Sequence, residues 1–358
     1  CKSAYPLPAF AVKAQHRHGI VEYGALHILK TGGFKFKLRR GSLHGQLMPS
    51  ALKMLMRQDT AADYRQIGVG AEEIMRELLN KGKKLVKNAL APLGEEYGKL
   101  LDKAYSSGWI DVYENKGKRS GAFSCGVYNT HPYVLLNYTD TLDDAFTLAH
   151  ELGHSMHSYK SAEAQEYVNS DYKIMVAEVA STVNEVFMTM YLLKTETDKK
   201  RRAYILNNFL EGFRTTVFRQ TLFAEFEKKS HDMYKNGVTL TAQSLSDAYN
   251  ELISTYYEGA EIPEIMAYEW SYIPHFYDAF YVYQYATGFC SAVNIAKHIL
   301  ETGDTKGYLK FLTLGGSDYP IEELKVAGVD LTKPDAIAVA MKVFDDTVTE
   351  LEQLIDEL

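Results

Sequence analysis

The sequence predicts a mostly α-helical protein with a small β element placed just ahead of its most informative helix. Three observations predict it. From about residue 71 onward apolar residues recur at helical spacing. Only two short runs carry the aromatic and branched residues of strands, bounded by Gly or Pro. The 358 residues are 46% hydrophobic and 24% charged, ordinary for a folded globular chain with ample core.

Residues 1–70 hold Gly pairs and scattered aromatics without a sustained period, so they are set apart from a helical domain at 71–358. The run beginning at Ala71 places Ile74, Leu78, Leu79, Leu85 and Leu90 on one stripe, and Pro92 marks a break. The two extended runs are Trp109–Tyr113 and Tyr133–Tyr138. Long helices are expected at roughly 141–160, 174–194, 199–235, 242–257, 276–300 and 333–356. No internal repeat or low-complexity stretch interrupts them.

Composition narrows the function classes. A net charge of −7 argues against nucleic acid as a partner, since phosphate neutralisation needs clustered Lys and Arg. The charge is uneven: residues 1–58 hold ten Lys/Arg against Glu22 alone. Such a segment reads as a phosphate-facing patch, a targeting segment or a solvated surface, and the absence of amphipathic pattern favours the last. No run of 18 apolar residues occurs, so no membrane partner is expected. The start lacks a compact apolar stretch with a small-residue cleavage site. Cys1, Cys125 and Cys290 make neither a disulfide framework nor a CxxC knuckle. A reduced, cytoplasmic protein is the expectation.

The chemistry sits in TLDDAFTLAHELGHSMHSY, which contains H-E-x-x-H at 150–154. Thr141 is a good N-cap, and Asp144 three residues on gives something close to a capping box. The helix so started presents His150 and His154 on one face, one turn apart, where both imidazoles can reach a single Zn²⁺. Glu151 lies about 100° round the helix, poorly placed as a ligand but well placed as general base toward a zinc-bound water. Gly153 lets a neighbouring element approach closely. The bland alternative is an amphipathic helix whose polar face happens to carry histidines.

A catalytic zinc takes three protein ligands and one open position. The extended pattern H-E-x-x-H-x-x-G-x-x-H fails, because position 157 is His and position 160 is Lys. A short-spaced glutamate is absent too, since Lys173 and Ile174 stand there. The next helix offers Glu178 and Glu185, seven residues apart and on one face. Carboxylates among Val176, Ala177, Val179 and Ala180 suggest a waiting cation. Glu178 is the expected third ligand, and Glu185 the expected partner fixing a ligand histidine's tautomer. His157 shares the face of His150 and His154, but three ligands along one helix would span about 10 Å, too far to converge.

The stretch SGAFSCGVYNTHPYVLLNYTDTLDDAFTLAHELGHSMHS resembles oligoendopeptidase F, within the thimet-oligopeptidase-like zinc peptidases. So do AEVASTVNEVFM (177–188), IPHFYDAFYVYQYATG (273–288) and LGGSDYPIEELKVAGVDLT (314–332), in the same order. The resemblance implies a multi-helix zincin-type fold around a deep channel, and an endopeptidase that cleaves short unstructured peptides. It implies zinc on His150, His154 and Glu178, with Glu151 as base. It also implies a His and Tyr residues in 273–288 that bind substrate and stabilise the oxyanion: His275 with Tyr283, then Tyr277, with Tyr281 and Tyr285 as further candidates. An extended strand in the GAFSCGVYNTHPYVLLNY segment can bind peptide by main-chain hydrogen bonds. Cys125 lies in that segment, and nothing nearby suggests a nucleophile. Family members are much longer, and residues 1–70 do not match the N-terminal region that forms one channel wall. Residues 1–70 are therefore expected to be either a remnant of that region, in a fragment or shortened form, or an unusual sequence. Two other readings stand beside the endopeptidase: a zinc carboxypeptidase on a similar scaffold, and a catalytically silent peptide-binding fragment.

Overall fold

Helical periodicity decides most of the architecture. The computed structural model describes residues 71–257 and 262–358. The readings of residues 1–70, and of the Ile74 and Leu78 side chains, lie outside the described residues. Helix α1 (Ala71–Ala89) buries Leu79, Val86 and Ala89. Its ladder ends ahead of Pro92, which has no amide hydrogen to donate, and a single 3₁₀ turn, Ala91–Leu93, leads into α2 (Glu95–Ser106).

The β element is one three-stranded sheet ordered β1-β3-β2. Strand β1 (Ile110–Asp111) runs parallel to β3 (Tyr133–Leu135), and β2 (Phe123–Cys125) runs antiparallel to it with Ser124 opposite Val134. The two expected strands are both present but shorter than predicted. Strand β2 lay outside the two extended runs, and it forms the edge beside helix α3 (Leu142–Ala164). The Ser124 and Ser155 hydroxyls meet at 2.9 Å, and a Cβ on Gly126 would stand 2.6 Å from Ser158 Cβ.

Helix α3 begins at a full capping box. The Asp144 amide donates to Thr141 Oγ1 at 3.1 Å, and the Thr141 amide donates to Asp144 Oδ2 at 2.8 Å. Helix α4 (Ile174–Thr195) is largely buried, packed on one side by α3 and on another by α8 (Tyr283–Thr302). Leu148, Leu152, Met156, Val179, Val183, Phe187 and Ala292 all lie in this shared core. The α3–α4 contact is fixed at Gly153, where an added Cβ would stand 2.5 Å from Ser181 Cα. Buried Asn184 ties the same two helices, donating to the Ala149 carbonyl at 2.9 Å and accepting from Tyr97 Oη at 3.1 Å.

The predicted helix 199–235 is three pieces: α5 (Lys199–Gly212), a π-helical turn (Phe213–Phe218) and α6 (Arg219–Lys235). Helix α7 (Ala242–Tyr256) packs on α6 and on a 3₁₀ segment, Glu264–Tyr272, around Phe223, Phe226, Tyr249, Ile273 and Val282. The helix expected at 276–300 starts only at Tyr283. A separate 3₁₀ turn, Pro274–Tyr277, precedes it, and Phe280 then takes the left-handed φ of +60°, which no α-helix accommodates. Short helices α9 (Lys306–Phe311) and α10 (Pro320–Val326) and the long α11 (Asp335–Asp356) complete the fold, α11 lying against α8. No described helix is long and apolar enough to cross a membrane.

Candidate metal centre and active site

Along α3 the side chains of Phe146, His150, His154 and Ser158 are partly exposed, whereas Leu148, Ala149, Leu152, Gly153, Ser155 and Met156 are buried. This stripe, one residue per turn, opens the helix along a single line. Glu178 and Glu185 are likewise partly exposed on a largely buried helix, and the close α3–α4 approach at Gly153 carries them to the two imidazoles.

The donor atoms converge. His154 Nε2 lies 3.2 Å from His150 Nε2, and Glu178 Oε2 lies 3.3 Å from His150 Nε2 and 3.5 Å from His154 Nε2. Donors around a tetrahedral ion with bonds of about 2.0–2.1 Å stand about 3.3–3.4 Å apart, so the triangle has the size such an ion requires. Among the described residues this is the one group of three whose donor atoms meet the geometry of a metal site. Glu185 Oε1 hydrogen-bonds His150 Nδ1, which leaves Nε2 turned toward the ion position.

The electrostatics agree with a cation at that point. Burial alone would lower the pKa of His150, but hydrogen bonds to Glu178 and Glu185 raise it to about 10. Burial would raise Glu178, yet hydrogen bonds to His150 and His154 hold it well below the usual carboxylate range. The proton held on the His150 imidazole between these carboxylates is the charge a metal ion would replace. Glu151 is 6% exposed, burial pushes its carboxyl up, and its Oε2 is buried without a protein partner. A buried carboxylate oxygen without a protein partner thus lies beside the donor triangle.

His157 takes no part in the triangle. It is 1% exposed and stacked on Tyr172 at 3.7 Å with the rings 2° from parallel, and burial lowers its pKa to about 3. It packs as an aromatic. Glu185 also lines a hollow of about 310 Å³, bordered by Phe146, Thr182, Asn208, Thr215 and Thr216.

The 273–288 segment approaches from α8. His275 Nε2 lies 3.3 Å from Tyr285 Oη and stacks on Tyr281 with ring centres 5.4 Å apart and 11° between planes. Tyr281 and Tyr285, with Ile174 and Gln284, line a small cleft against Glu178. A Cβ added at Gly288, one turn beyond Tyr285, would stand 3.9 Å from the Glu178 Cβ, which puts Glu178 close against α8. The tyrosines that meet His275 are therefore Tyr285 and Tyr281. Tyr277 is 89% exposed on the outside of its 3₁₀ turn, and Tyr283 packs at the edge of the α6–α7 cluster. The break at Phe280 is the reason, because it swings the tyrosine faces relative to those of an unbroken helix.

A helix bearing His150, Glu151 and His154, joined by a carboxylate from the next helix, is the site architecture of a helical metallopeptidase. Residues 53–343 match the model of peptidase family M3, and the chain belongs to that family. The match begins within the segment 1–70. The chain is 47% identical over 284 residues to oligopeptidase PepF of Bacillus subtilis, covering 78% of this chain and 42% of that protein. It is 48% identical over 280 residues to an oligoendopeptidase F homolog of Lactococcus lactis subsp. lactis, covering 77% of this chain and 46% of that one. It thus spans less than half the length of these curated relatives. The crystal structure of oligoendopeptidase-F from Enterococcus faecium superposes with a TM-score of 0.63 at 33% identity, over 94% of this chain and 53% of that one.

Proposed function

We propose that residues 71–358 form the catalytic part of a zinc-dependent oligopeptidase that hydrolyses internal bonds of short, unstructured peptides. The observation that carries this reading is the donor triangle of His150, His154 and Glu178 with the unpartnered Glu151 oxygen beside it. Two imidazoles and one carboxylate at tetrahedral spacing suit zinc and leave a fourth position open. When bound, zinc supplies a Lewis acid that polarises the scissile carbonyl and acidifies a water.

The chain's own residues do the rest. Glu185 holds the His150 ring by its Nδ1. Glu151, raised by burial and therefore a stronger base than an exposed glutamate, takes the proton of the attacking water and delivers it to the leaving amine. Tyr285, paired with His275 and beside Glu178, is placed to donate to the carbonyl oxygen as charge develops there. Edge strand β2 offers unpaired main-chain groups beside α3, where an extended peptide can add as a further strand. Such backbone recognition tolerates many side chains. Similarity to proteins named oligopeptidase and oligoendopeptidase supports the peptide substrate class. Cys125 and Cys290 are free thiols, which suits a reducing cytoplasmic compartment.

The test is Glu151→Gln. The substitution keeps shape and removes the base, so zinc content should stay stoichiometric while turnover of a quenched peptide falls by at least about 10³-fold. Near-normal turnover would remove Glu151 from the base role.

A further inference from the structure

Glu227 is an odd residue for its position. It lies on α6 in the core-facing run Thr221–Glu227 and is only 3% exposed. A carboxylate in that setting needs compensating donors. One donor is distant in sequence: the Phe280 amide donates to Glu227 Oε1 at 2.5 Å. Phe280 is also strained: with Asn129 and Asp140 it is one of three non-glycine residues at positive φ among the described residues, and the bulky one, at φ +60°. Such a conformation persists only where its surroundings over-determine it. Two contacts do so here. Besides the captured amide, the Phe280 ring lies 4.8 Å from that of His231, whose Nδ1 is 2.8 Å from the Glu227 carbonyl oxygen.

What the turn at Phe280 controls is the next residue. Tyr281 follows it directly and stacks on His275, while Tyr285, one turn on, meets both His275 and Tyr281. An unstrained φ at 280 would rotate Tyr281 away from the His275 ring. We infer that Glu227 is a positioning residue for the reaction, its buried carboxylate locking the Phe280 turn and thereby setting the His275–Tyr281–Tyr285 arm over the metal centre. The inference rests on the proposed use of that arm in stabilising the oxyanion.

The experiment uses the full chain loaded with zinc and ¹³C-labelled at histidine, with three variants. Glu227→Gln keeps a carbonyl acceptor for the amide, Glu227→Met keeps the volume without an acceptor, and Glu227→Asp shortens the carboxylate by one methylene. Two quantities are read: the ring-current shift of the His275 Hε1 resonance, and kcat and KM on a quenched peptide. In Glu227→Met and Glu227→Asp the His275 shift should collapse and kcat should fall by about 10–100-fold with zinc content unchanged. Glu227→Gln should keep both near the parent values. Glu227→Asp decides the matter should Glu227→Met not fold. An unmoved His275 resonance in a folded Met or Asp variant would overturn the role of Glu227, as would a Gln variant as impaired as the Met one. A displaced ring with unchanged kcat would instead overturn the oxyanion reading beneath it.

Discussion

Gly153 of α3 faces Ser181 of α4 with no space for a side chain between them, since a Cβ at 153 would stand 2.5 Å from Ser181 Cα and 2.6 Å from the Ala180 carbonyl oxygen. Both neighbours are backbone and cannot swing aside. This contact lies between the two histidines on one helix and Glu178 on the other, so it sets the two sides of the donor triangle that reach Glu178.

Gly153→Ala should therefore pry the helices apart at the metal centre. We expect a stability loss of roughly 1–3 kcal/mol, typical of overpacking. Zinc affinity should fall by about tenfold or more, because a displaced donor behaves like one whose support has been removed. Calorimetric titration of the metal and a denaturant melt check both. Unchanged zinc affinity would mean that the contact does not set the triangle.

The tyrosines separate by position. Tyr285→Phe removes the hydroxyl that meets His275 3.3 Å away beside Glu178. It should lower kcat by about 10²–10³-fold, the usual loss for one oxyanion donor, with a smaller change in KM. Tyr277→Phe, at a residue 89% exposed, should leave both constants near the parent values. Steady-state kinetics on one quenched peptide compares them, and the reverse ranking would return the role to Tyr277.

How much of this was legible in the sequence depended on whether a feature was local. The motif helix was, because Thr141, Asp144 and the 150–154 spacing lie within one element and obey helical geometry. Glu178 was legible for a different reason: a carboxylate amid Val176, Ala177, Val179 and Ala180 has no ordinary explanation. Strand β2 was not, since three residues between Gly121 and Gly126 gain strand geometry only by pairing with β3. Nor was the choice among tyrosines. An unbroken helix from 276 would align Tyr277, Tyr281 and Tyr285 on one face, one turn apart. The turn at Phe280 breaks that alignment, and its lock, Glu227, lies 53 residues away.

Glu323, which is not one of the donor-triangle residues, gives a pH-dependent prediction. It is 1% exposed with Oε1 unpartnered, and burial pushes its pKa from 4.5 up to about 7, a backbone hydrogen bond from Asp318 offsetting only part of this. Between those two values the folded protein keeps a proton that the unfolded chain has released. Stability from this group therefore falls as pH rises, the penalty being absent below about 4.5 and complete above about 7. Glu323→Gln should stabilise the fold by roughly 1–3 kcal/mol at pH about 8, and the gain should vanish near pH 4. Urea melts of both proteins across this range measure it, and a difference independent of pH would show that Glu323 is not held protonated by the fold.

In the proposed function, the centre built by His150, Glu151, His154 and Glu178 cuts peptides internally with the help of a metal. The most direct measurement is mass-spectrometric product analysis of a short quenched peptide blocked at both ends, with and without a chelator. Cleavage at an internal bond, lost on chelation and restored by zinc, is the predicted result. An intact peptide after incubation with protein carrying stoichiometric zinc would contradict it.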